Sequence, residues 1–593
     1  MKLSPLVAFL LTAGNQAVAQ DTDSSDHVAF VRDTGVSIFM RDSVPLVADI
    51  WRPAGEGPFP VLVYRTPYDR HSAVEDYTIF RHAVDRGYAV VIQDVRGRYG
   101  SGGEFTPYQN EGRDGFDTIE WAAVQPWSNG AIGTFGLSYP GAVQWLAAVE
   151  GPPHLKAMVP AMTFANPRTF FYSGGIWDLS WIDWTWNNIA PDVRVRKGLA
   201  GPRNYDDAAA EWERTGETMV NYLPLRGLPA LKQVAPWYYQ WLNHPPADPW
   251  WSWADLTGKY RRTKAAVLNL SGWHDEAYGP SGAIENWSGT VAARRGHGPA
   301  NSHLIIGPWS HGVAGLGRTR VGERDMGDSA MINYDEVVLR WMDHYLKGVD
   351  NGVDKESPVR IFVMGENRWI DAPRWPLPRT QPLSLFLAGA DSSSKLGRLI
   401  RSAPRDAEDF SLIESDPSHP LTDPYAGKSG AHDYRALAER DNVLTFETAP
   451  LEKNTRVVGP ISADIYLSVD SWDTDLWVRV QDVAPDGTAY NLMNPGLDVL
   501  RASYRNEKPE PELLKAGSIY RVHLSNMLTG NLFREGHRIR VQLSTAFFPW
   551  FSRNLHSGDS EIFSLNMVSS RITVYHDKTH PSRVVFPVVS LPN

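Results

Sequence analysis

The stretch GTFGLSYPGAVQWLAAVEG, residues 133–151, decides the fold of this chain because an apolar strand pattern changes within it to a helical pattern. Ser138 stands at the change, with Gly136 before it and Gly141 after it. A serine on a sharp strand-to-helix turn is typical of the nucleophile of α/β-hydrolases, whose usual motif is GxSxG. Here Pro140 occupies the second position after the serine. The motif alone leaves open whether Ser138 is a nucleophile or a polar residue in a glycine-rich bend.

Strand and helix patterns alternate on both sides of this stretch. FPVLVYRTPYDR (59–70) is a buried-strand run that ends in a turn, and EGRDGFDTIEWAAVQ (111–125) is helical. The alternation resumes at AAVLNLSGWHDEAYG (265–279). Alternation of this kind indicates crossover units around a largely parallel sheet, whose chemistry lies at the carboxyl ends of the strands. We predict an α/β-hydrolase domain over 27–165 and 259–350.

Two further zones differ from this pattern. Residues 166–258 are rich in tryptophan, with several Pro and Gly and no clear strand pattern, which predicts an inserted, mostly helical cap. From 357 to 593 short alternating runs such as HRIRVQLST are separated by turn residues. This pattern is typical of an all-β sandwich or jelly roll. The predicted fold is therefore an α/β-hydrolase core with a helical cap and a C-terminal jelly roll.

The composition excludes several classes of function. A chain of 593 residues with a formal net charge of −10 and no long Lys/Arg run lacks the clustered basic face that nucleic acid requires. The absence of cysteine excludes disulfides, a thiolate nucleophile and Cys-ligated zinc. No common metal-binding spacing is present either. We expect no metal and no other cofactor.

The N-terminus has the pattern of a secretory signal. It reads MKLSPLVAFLLTAGNQAVAQ, with one lysine, an apolar run and an AxA arrangement that ends at Ala19. This predicts a signal peptide over 1–19 and a periplasmic or secreted protein; the alternative is a hydrophobic helix that is retained. No other stretch approaches 18 uninterrupted apolar residues, so we expect no stable membrane anchor.

A nucleophilic Ser138 needs a base and an orienting acid from later strand ends. In α/β-hydrolases these follow in the chain order Ser, Asp or Glu, His. Asp275 comes directly after one apolar run and His311 after the next, in the required order. His311 would take the serine proton, and Asp275 would hold the imidazole tautomer. His274 and His303 are rival histidines, but His303 begins a strand and His274 shares a loop with the acid.

An acyl-transfer site also needs donors for the oxyanion. The residue after the nucleophile normally supplies a backbone N–H, which here belongs to Tyr139. The second donor is expected from the loop RTPYDR (65–70), where Tyr68 offers a phenolic hydroxyl. The alternative for Tyr68 is a ring that only packs beside Pro67.

Aromatic residues are expected around the substrate. Ten of the 23 tryptophans lie between Trp177 and Trp253. They are interpreted either as an aromatic wall for a hydrophobic substrate group or as the apolar interface between cap and sheet. The residues that we predict for the substrate pocket are Trp177, Trp181, Trp273 and Tyr278.

Several motifs together resemble one family. RTPYDR, DVRGRYGSGGEF, GTFGLSYPGAVQW, SGWHDEAYG and GPWSHG, with IFVMGENRWIDA and FREGHRIRVQLST further on, are similar to those of the CocE/NonD hydrolases. This group includes cocaine esterase and X-Pro dipeptidyl peptidases, and the resemblance covers nearly the whole chain. It implies a hydrolase core, a helical cap and a C-terminal jelly roll. It implies nucleophile, acid and base at Ser138, Asp275 and His311, with Tyr68 and the Tyr139 N–H at the oxyanion. The family's elbow is GxSYxG, which accounts for the delayed glycine.

The resemblance implies hydrolysis of a carboxylic ester or amide through an acyl-enzyme, on a small ester, amide or short peptide. Two alternatives within the family are an X-Pro dipeptidyl aminopeptidase and an α-amino-acid ester hydrolase or β-lactam acylase. The amino-ester branch carries acidic residues where this chain has Ala277 and Tyr278, which leaves Glu276, Asp178 or Asp183 as candidate substitutes. An alternative of another class is an inactive carbohydrate- or protein-binding module. The sequence leaves open whether the chain forms a homo-oligomer.

Overall fold

The computed structural model describes residues 28–297, 300–389, 396–493, 497–506 and 508–590. The predicted signal peptide lies outside these ranges. Within them, no helix is long and apolar enough to cross a membrane.

The first part of the described chain forms a ten-stranded sheet. Its strands are β1 Phe30–Phe39, β2 Pro45–Pro53, β3 Phe59–Thr66, β4 Ala89–Asp94, β5 Ser128–Leu137, β6 Leu155–Ala161, β7 Ala266–His274, β8 Ser302–Ser310, β9 Val359–Val363 and β10 Arg368–Ala372.

The strands lie in the order β1-β2-β4-β3-β5-β6-β7-β8-β9-β10. The seven from β4 to β9 in this order run parallel, and antiparallel pairs close both edges. Every residue of β4 and of β7 is buried, as expected for parallel strands covered on both faces. The predicted α/β-hydrolase core is confirmed.

Helices cover both faces of this sheet, and one apolar cluster lies against each face. The α-helices are α1 Arg70–Asp76, α2 Ile79–Asp85, α3 Glu111–Ala123, α4 Tyr139–Ala148, α5 Ser180–Trp184, α6 Ala190–Lys197, α7 Tyr205–Val220, α8 Pro236–Trp241, α9 Ser281–Arg294, α10 Val313–Leu316 and α11 Tyr334–Lys347. Short ribbons pair Tyr172–Ser173 with Ile176–Trp177 and Arg320–Val321 with Arg324–Asp325.

The chain between β6 and β7 forms the predicted helical insertion, with α5 to α8. A π-helix, Thr185–Ile189, joins α5 to α6 directly. The remaining turns of helix are short 3₁₀ segments: Pro167–Thr169, Leu225–Gly227, Pro249–Trp253 and Tyr260–Arg262. Tryptophan and phenylalanine rings pack against one another throughout this region and belong to the same apolar cluster as α3 and α4.

The last part of the chain forms a twelve-stranded, mostly antiparallel sheet around a separate apolar cluster. The predicted all-β C-terminal part is thus confirmed. Its strands are β11 Thr380–Ala388, β12 Gly397–Ile400, β13 Phe410–Ser415, β14 Leu444–Glu447, β15 Thr455–Val469, β16 Asp475–Val483, β17 Ala489–Asn491, β18 Leu497–Arg501, β19 Tyr520–Phe533, β20 Arg538–Ser544, β21 Ser570–Tyr575 and β22 Arg583–Val589.

One predicted boundary needs correction. The prediction assigns all residues from 357 to the β domain, but β9 and β10 complete the first sheet. Leu304 of β8 pairs with Val359 of β9 in parallel, and β10 pairs with β9 as an antiparallel edge strand. Short alternating strands have the same local pattern in either sheet, and only the long-range pairing assigns them. The second sheet begins at Thr380.

The insertion packs closely on the all-β part. A Cβ atom on Gly174 would lie 1.8 Å from the carbonyl oxygen of Val499, so only glycine permits this approach. The backbone N–H of Leu179 donates to the carbonyl of Trp550 at 3.1 Å, and that of Ser552 donates to the carbonyl of Trp177 at 2.8 Å. The insertion is therefore held from both sides, by the first sheet and by the C-terminal part.

Candidate active site

Ser138 occupies a strained turn between β5 and α4. Its φ is 69° and its ψ is −128°, in a region that residues other than glycine rarely adopt. Pro140 lies in the first turn of α4, where a missing N–H costs no helical hydrogen bond. A Cβ atom on Gly141 would lie 2.5 Å from the carbonyl oxygen of Ala161 in β6. The delayed glycine is thus required by the packing of α4 against the neighbouring strand.

Asp275 and His311 meet at the carboxyl ends of β7 and β8. The distance from Asp275 Oδ1 to His311 Nδ1 is 2.8 Å, and the Asp275 side chain is fully buried. The same carboxylate accepts the backbone N–H groups of Ala277 and Tyr278 at 3.2 and 3.3 Å, and the Ser271 hydroxyl at 3.3 Å. These bonds hold the carboxylate in one orientation relative to the imidazole.

The charges around His311 favour its protonated form. Burial lowers the pKa of the His311 imidazole. The Asp275 carboxylate, with a further contribution from Glu276, raises this pKa by more, so it lies above the usual histidine value. Glu276 accepts the backbone N–H of His311 at 3.0 Å. Burial raises the pKa of Glu276 itself.

Tyr68 follows the end of β3, and Tyr139, the residue after Ser138, begins α4. Burial raises the pKa of Tyr68 to about 12, so its hydroxyl is neutral at pH 7, and Tyr68 lines the same cavity as Ser138. Tyr139 begins α4, where the first N–H groups of a helix have no intrahelical acceptor. Its phenol donates to buried Glu111 at 2.9 Å and accepts the Tyr108 N–H at 3.0 Å.

A cavity opens above Ser138. Its apolar wall is formed by aromatic rings, and its polar groups cluster near the serine and at the insertion. The aromatic residues are Tyr68, Tyr108, Phe170, Trp181, Trp184 and Tyr278. The polar residues are Ser138, Asp178, Ser180, Asn188, Glu276 and His311.

The structure separates the four predicted pocket residues into two pairs. Trp181 and Tyr278 line the cavity, and the Tyr278 ring lies 5.6 Å from the His311 ring. Trp177 is fully buried between Tyr172 and Tyr238, away from the cavity wall.

Trp273 is also fully buried, and its indole donates to the Phe362 carbonyl at 2.8 Å. The predictions for Trp177 and Trp273 are therefore corrected. Asp275 follows the last residue of β7, whereas Trp273 lies within β7 and packs its indole against β9, so the two side chains do not reach the same cavity.

The rival histidines occupy structural positions. His274 is fully buried, its Nδ1 lies 2.9 Å from the Pro308 carbonyl, and burial lowers its pKa to about 4. His303, near the start of β8, packs against Trp341 with tilted rings 5.1 Å apart and lies at the opposite end of the strand from His311. Neither histidine lines the cavity above Ser138.

Sequence reasoning missed Trp184, Tyr108 and Phe170 as cavity residues. The high density of tryptophan predicted either an aromatic wall for the substrate or an apolar interface between cap and sheet. Only the packing of the insertion determines which rings face the serine.

The class of protein follows from these features. A mixed α/β sheet with a strained serine at the end of a central strand and an Asp–His pair at the ends of two later strands defines a serine hydrolase of the α/β-hydrolase type.

Comparisons with known proteins identify the family. Residues 42–313 match the model of the X-Pro dipeptidyl-peptidase (S15) family, and residues 351–585 match the X-Pro dipeptidyl-peptidase C-terminal non-catalytic domain. The chain is 32% identical over 582 residues to cocaine esterase of Rhodococcus sp. (strain MB1 Bresler), covering 94% of this chain and 98% of that protein. The chain belongs to this family of serine hydrolases, as its motifs predict.

More distant relatives match over nearly the whole chain. A putative serine esterase of Mycobacterium tuberculosis is 27% identical over 649 residues, with 94% of this chain and 96% of that protein covered. The structure of an α-amino acid ester hydrolase superposes with a TM-score of 0.78 at 23% identity, over 97% of this chain and 100% of the other. A CocE/NonD family hydrolase from Staphylococcus aureus gives 0.66 at 21% identity, over 94% of each chain. These structures share the fold.

Proposed function

We propose that Ser138 is the nucleophile of this serine hydrolase, His311 its general base and acid, and Asp275 the residue that orients His311. The observation that carries the proposal is the 2.8 Å contact between Asp275 and His311 at the cavity that Ser138 lines from a strained turn. An oriented base beside a serine on such a turn is the arrangement that acyl transfer requires.

The reaction proceeds in two halves. His311 takes the Ser138 proton as the oxygen attacks the acyl carbon, and it then gives that proton to the leaving alcohol or amine. The tetrahedral oxyanion is stabilised by the Tyr68 hydroxyl and the Tyr139 N–H. In the second half, His311 activates a water molecule that releases the acid from Ser138.

The aromatic wall of the cavity favours an ester or amide with an apolar acyl or leaving group. A cavity lined mostly by rings removes apolar substrate surface from water, which is worth about 25 cal/mol per Å². The few polar groups close to Ser138 then orient the carbonyl group of the substrate. We therefore propose acyl esters with apolar groups as the main substrates.

A second candidate, hydrolysis of α-amino-acid esters, is supported by two acidic residues at the cavity. Asp178 accepts the Ser180 N–H at 2.8 Å, and burial raises its pKa to about 7. Glu276 is the second acid. A substrate ammonium would stabilise the charged form of either carboxylate. Asp183, the third candidate from the sequence, is buried against Asn187 and does not line the cavity.

Covalent labelling and a substrate panel test the proposal. A fluorophosphonate probe is expected to label the wild-type protein at Ser138 and to leave Ser138→Ala unlabelled. Hydrolysis of a simple acyl ester, the matching α-amino ester and an X-Pro anilide is then compared on one preparation, with the acyl ester expected to be cleaved fastest. Absence of labelling and of turnover would favour the inactive binding module instead.

We also propose that the chain is exported after cleavage at Ala19. The support is the AxA arrangement after a short apolar run. N-terminal sequencing of the protein recovered outside the cytoplasm is expected to begin at Gln20. An uncleaved N-terminus would contradict the proposal.

A further inference from the structure

The indole of Trp184 is hydrogen-bonded to the hydroxyl of Tyr68. The distance from Trp184 Nε1 to Tyr68 Oη is 3.0 Å. Trp184 is the last residue of α5 in the insertion, and Tyr68 follows β3 of the first sheet. The bond therefore joins the insertion to the loop that carries the proposed oxyanion donor.

The chemistry of the two groups fixes the direction of this bond. An indole N–H only donates, and a phenol has a single proton to give. The Tyr68 oxygen must therefore accept from Trp184, and its own proton is left for another partner. Tyr68 and Ser138 line the same cavity, so this proton is available to an oxyanion that forms at the serine. Trp184 thus directs the Tyr68 proton towards the place where the substrate oxyanion forms.

We propose that Trp184 is a positioning residue for the oxyanion donor Tyr68. The inference rests on the proposed function, in which Tyr68 stabilises the tetrahedral intermediate. As negative charge grows on the substrate oxygen, the Tyr68 hydroxyl becomes more polarised and its oxygen a better acceptor. A chain of two hydrogen bonds in a cavity of low dielectric is stronger than its separate members.

The position of Trp184 distinguishes it from the neighbouring tryptophans. The indole N–H groups of Trp177, Trp181 and Trp241 are buried and have no partner among the described residues. Trp184 also stacks parallel to the Tyr139 ring, at 6.3 Å and 10°. It therefore touches both residues that we assign to the oxyanion.

A buried arginine keeps Trp184 and Tyr68 together. Arg98 is fully buried and donates to the Pro67 carbonyl at 2.8 Å, directly before Tyr68. Its other nitrogens donate to the carbonyls of Asn188 and Ile189, each at 2.9 Å, in the π-helix that continues from Trp184. The guanidinium thus fixes the distance between the two segments, and the oxyanion donor is complete only when the insertion is docked.

A double-mutant cycle tests the inference with Trp184→Phe, Tyr68→Phe and the double variant. Tyr68→Phe is expected to lower kcat about 100- to 1,000-fold, as for other lost oxyanion donors. Trp184→Phe is expected to lower kcat about tenfold, the usual effect of one hydrogen bond, with KM within about twofold of wild type. In the Tyr68→Phe background, Trp184→Phe is expected to have no further effect on kcat.

Trp181→Phe is the matched control. Trp181 lies in the same helix and lines the same cavity, but its N–H has no partner among the described residues. We expect Trp181→Phe to change KM, and to change it by the same factor in the wild-type and Tyr68→Phe backgrounds. Thermal unfolding midpoints check that each variant is folded.

The outcomes distinguish the oxyanion role of Tyr68 from the positioning role of Trp184. If Tyr68→Phe leaves kcat unchanged, the assignment of the oxyanion donor is wrong. If Tyr68→Phe is strongly impaired but Trp184→Phe has no effect, or the same effect in both backgrounds, Trp184 has only a packing role and the inference is overturned. Should Trp184→Phe fail to fold, 3-benzothienylalanine incorporated at position 184 keeps the bicyclic shape and removes only the N–H. The same tenfold loss is expected, and wild-type kcat would overturn the inference.

Discussion

The carboxylate of Glu276 joins the backbone of His311 to Ser429 of the all-β part. One oxygen accepts the His311 backbone N–H at 3.0 Å. The other accepts the hydroxyl of Ser429 at 2.7 Å, in the segment between β13 and β14. The all-β part therefore contacts Glu276, which positions the proposed base. The negative charge of Glu276 also contributes to the raised pKa of His311.

Glu276→Gln is expected to shift the pH dependence of activity. Glu276 contributes to the raised pKa of His311, so removal of its charge lowers that pKa. The acid limb of the kcat/KM profile is then expected to move to lower pH, while kcat at pH 8 changes only a few-fold. Ser429→Ala, which keeps the carboxylate, is the control and is expected to leave the limb in place. An unmoved limb in Glu276→Gln would show that Glu276 carries no charge in the free enzyme.

The wild-type profile itself is a second prediction. His311 must be deprotonated to act as a base, and its pKa lies above the ordinary histidine value of about 6.5. Activity is expected to rise with pH through one ionisation whose midpoint lies above that value. The measurement is kcat/KM on an ester substrate from pH 5 to pH 9. A flat profile between about pH 5 and pH 8 would count against His311 as the base.

Substitutions of Ser138 are expected to separate activity from stability. Ser138→Ala should lower kcat by about 10⁴-fold or more while the fold is retained. Ser138→Gly removes the side chain as well but accommodates the φ of 69°. Its free energy of unfolding is expected to exceed that of Ser138→Ala by about 1 kcal/mol, measured by urea titration. Equal stability of the two variants would show that the turn stores no strain.

Gly141→Ala tests the explanation of the delayed glycine. The added methyl group would lie 2.5 Å from the Ala161 carbonyl, so α4 must shift away from β6. We expect a loss of roughly 1–3 kcal/mol in the free energy of unfolding. Gly317→Ala is the control, because a Cβ atom there meets nothing within 4 Å, and it is expected to change stability by less than about 0.5 kcal/mol. Equal effects of the two variants would refute the packing argument.

Asp178→Asn addresses the second candidate substrate. If the carboxylate binds a substrate ammonium, the ratio of kcat/KM for an α-amino ester to that for the matching ester without the amine is expected to fall about tenfold or more. Asp183→Asn is the matched control, since Asp183 does not line the cavity, and the ratio is expected to stay the same. A constant ratio in Asp178→Asn would remove Asp178 from substrate recognition.

The local sequence was sufficient to predict much of the fold and of the candidate active site. Alternating strand and helix patterns predicted the α/β core, and alternating short strands predicted the all-β part. The order of Ser138, Asp275 and His311 along the chain selected the residues that the structure brings to one edge of the sheet. The positions and ends of strands along the chain are encoded in local hydrophobic periodicity and turn residues, which sequence reasoning can detect.

Only the tertiary structure assigned β9 and β10 to the first sheet and separated Trp181 from Trp177. It also brought Glu276 to Ser429 and Trp184 to Tyr68, over separations of 153 and 116 residues. The physical reason is the same in each case. A strand pairs and a ring packs with whatever the fold places beside it, and no local pattern records a neighbour that is more than a hundred residues away. The sequence by itself determined which groups are available for the chemistry, and the packing of the insertion and the all-β part decided which of them reach Ser138.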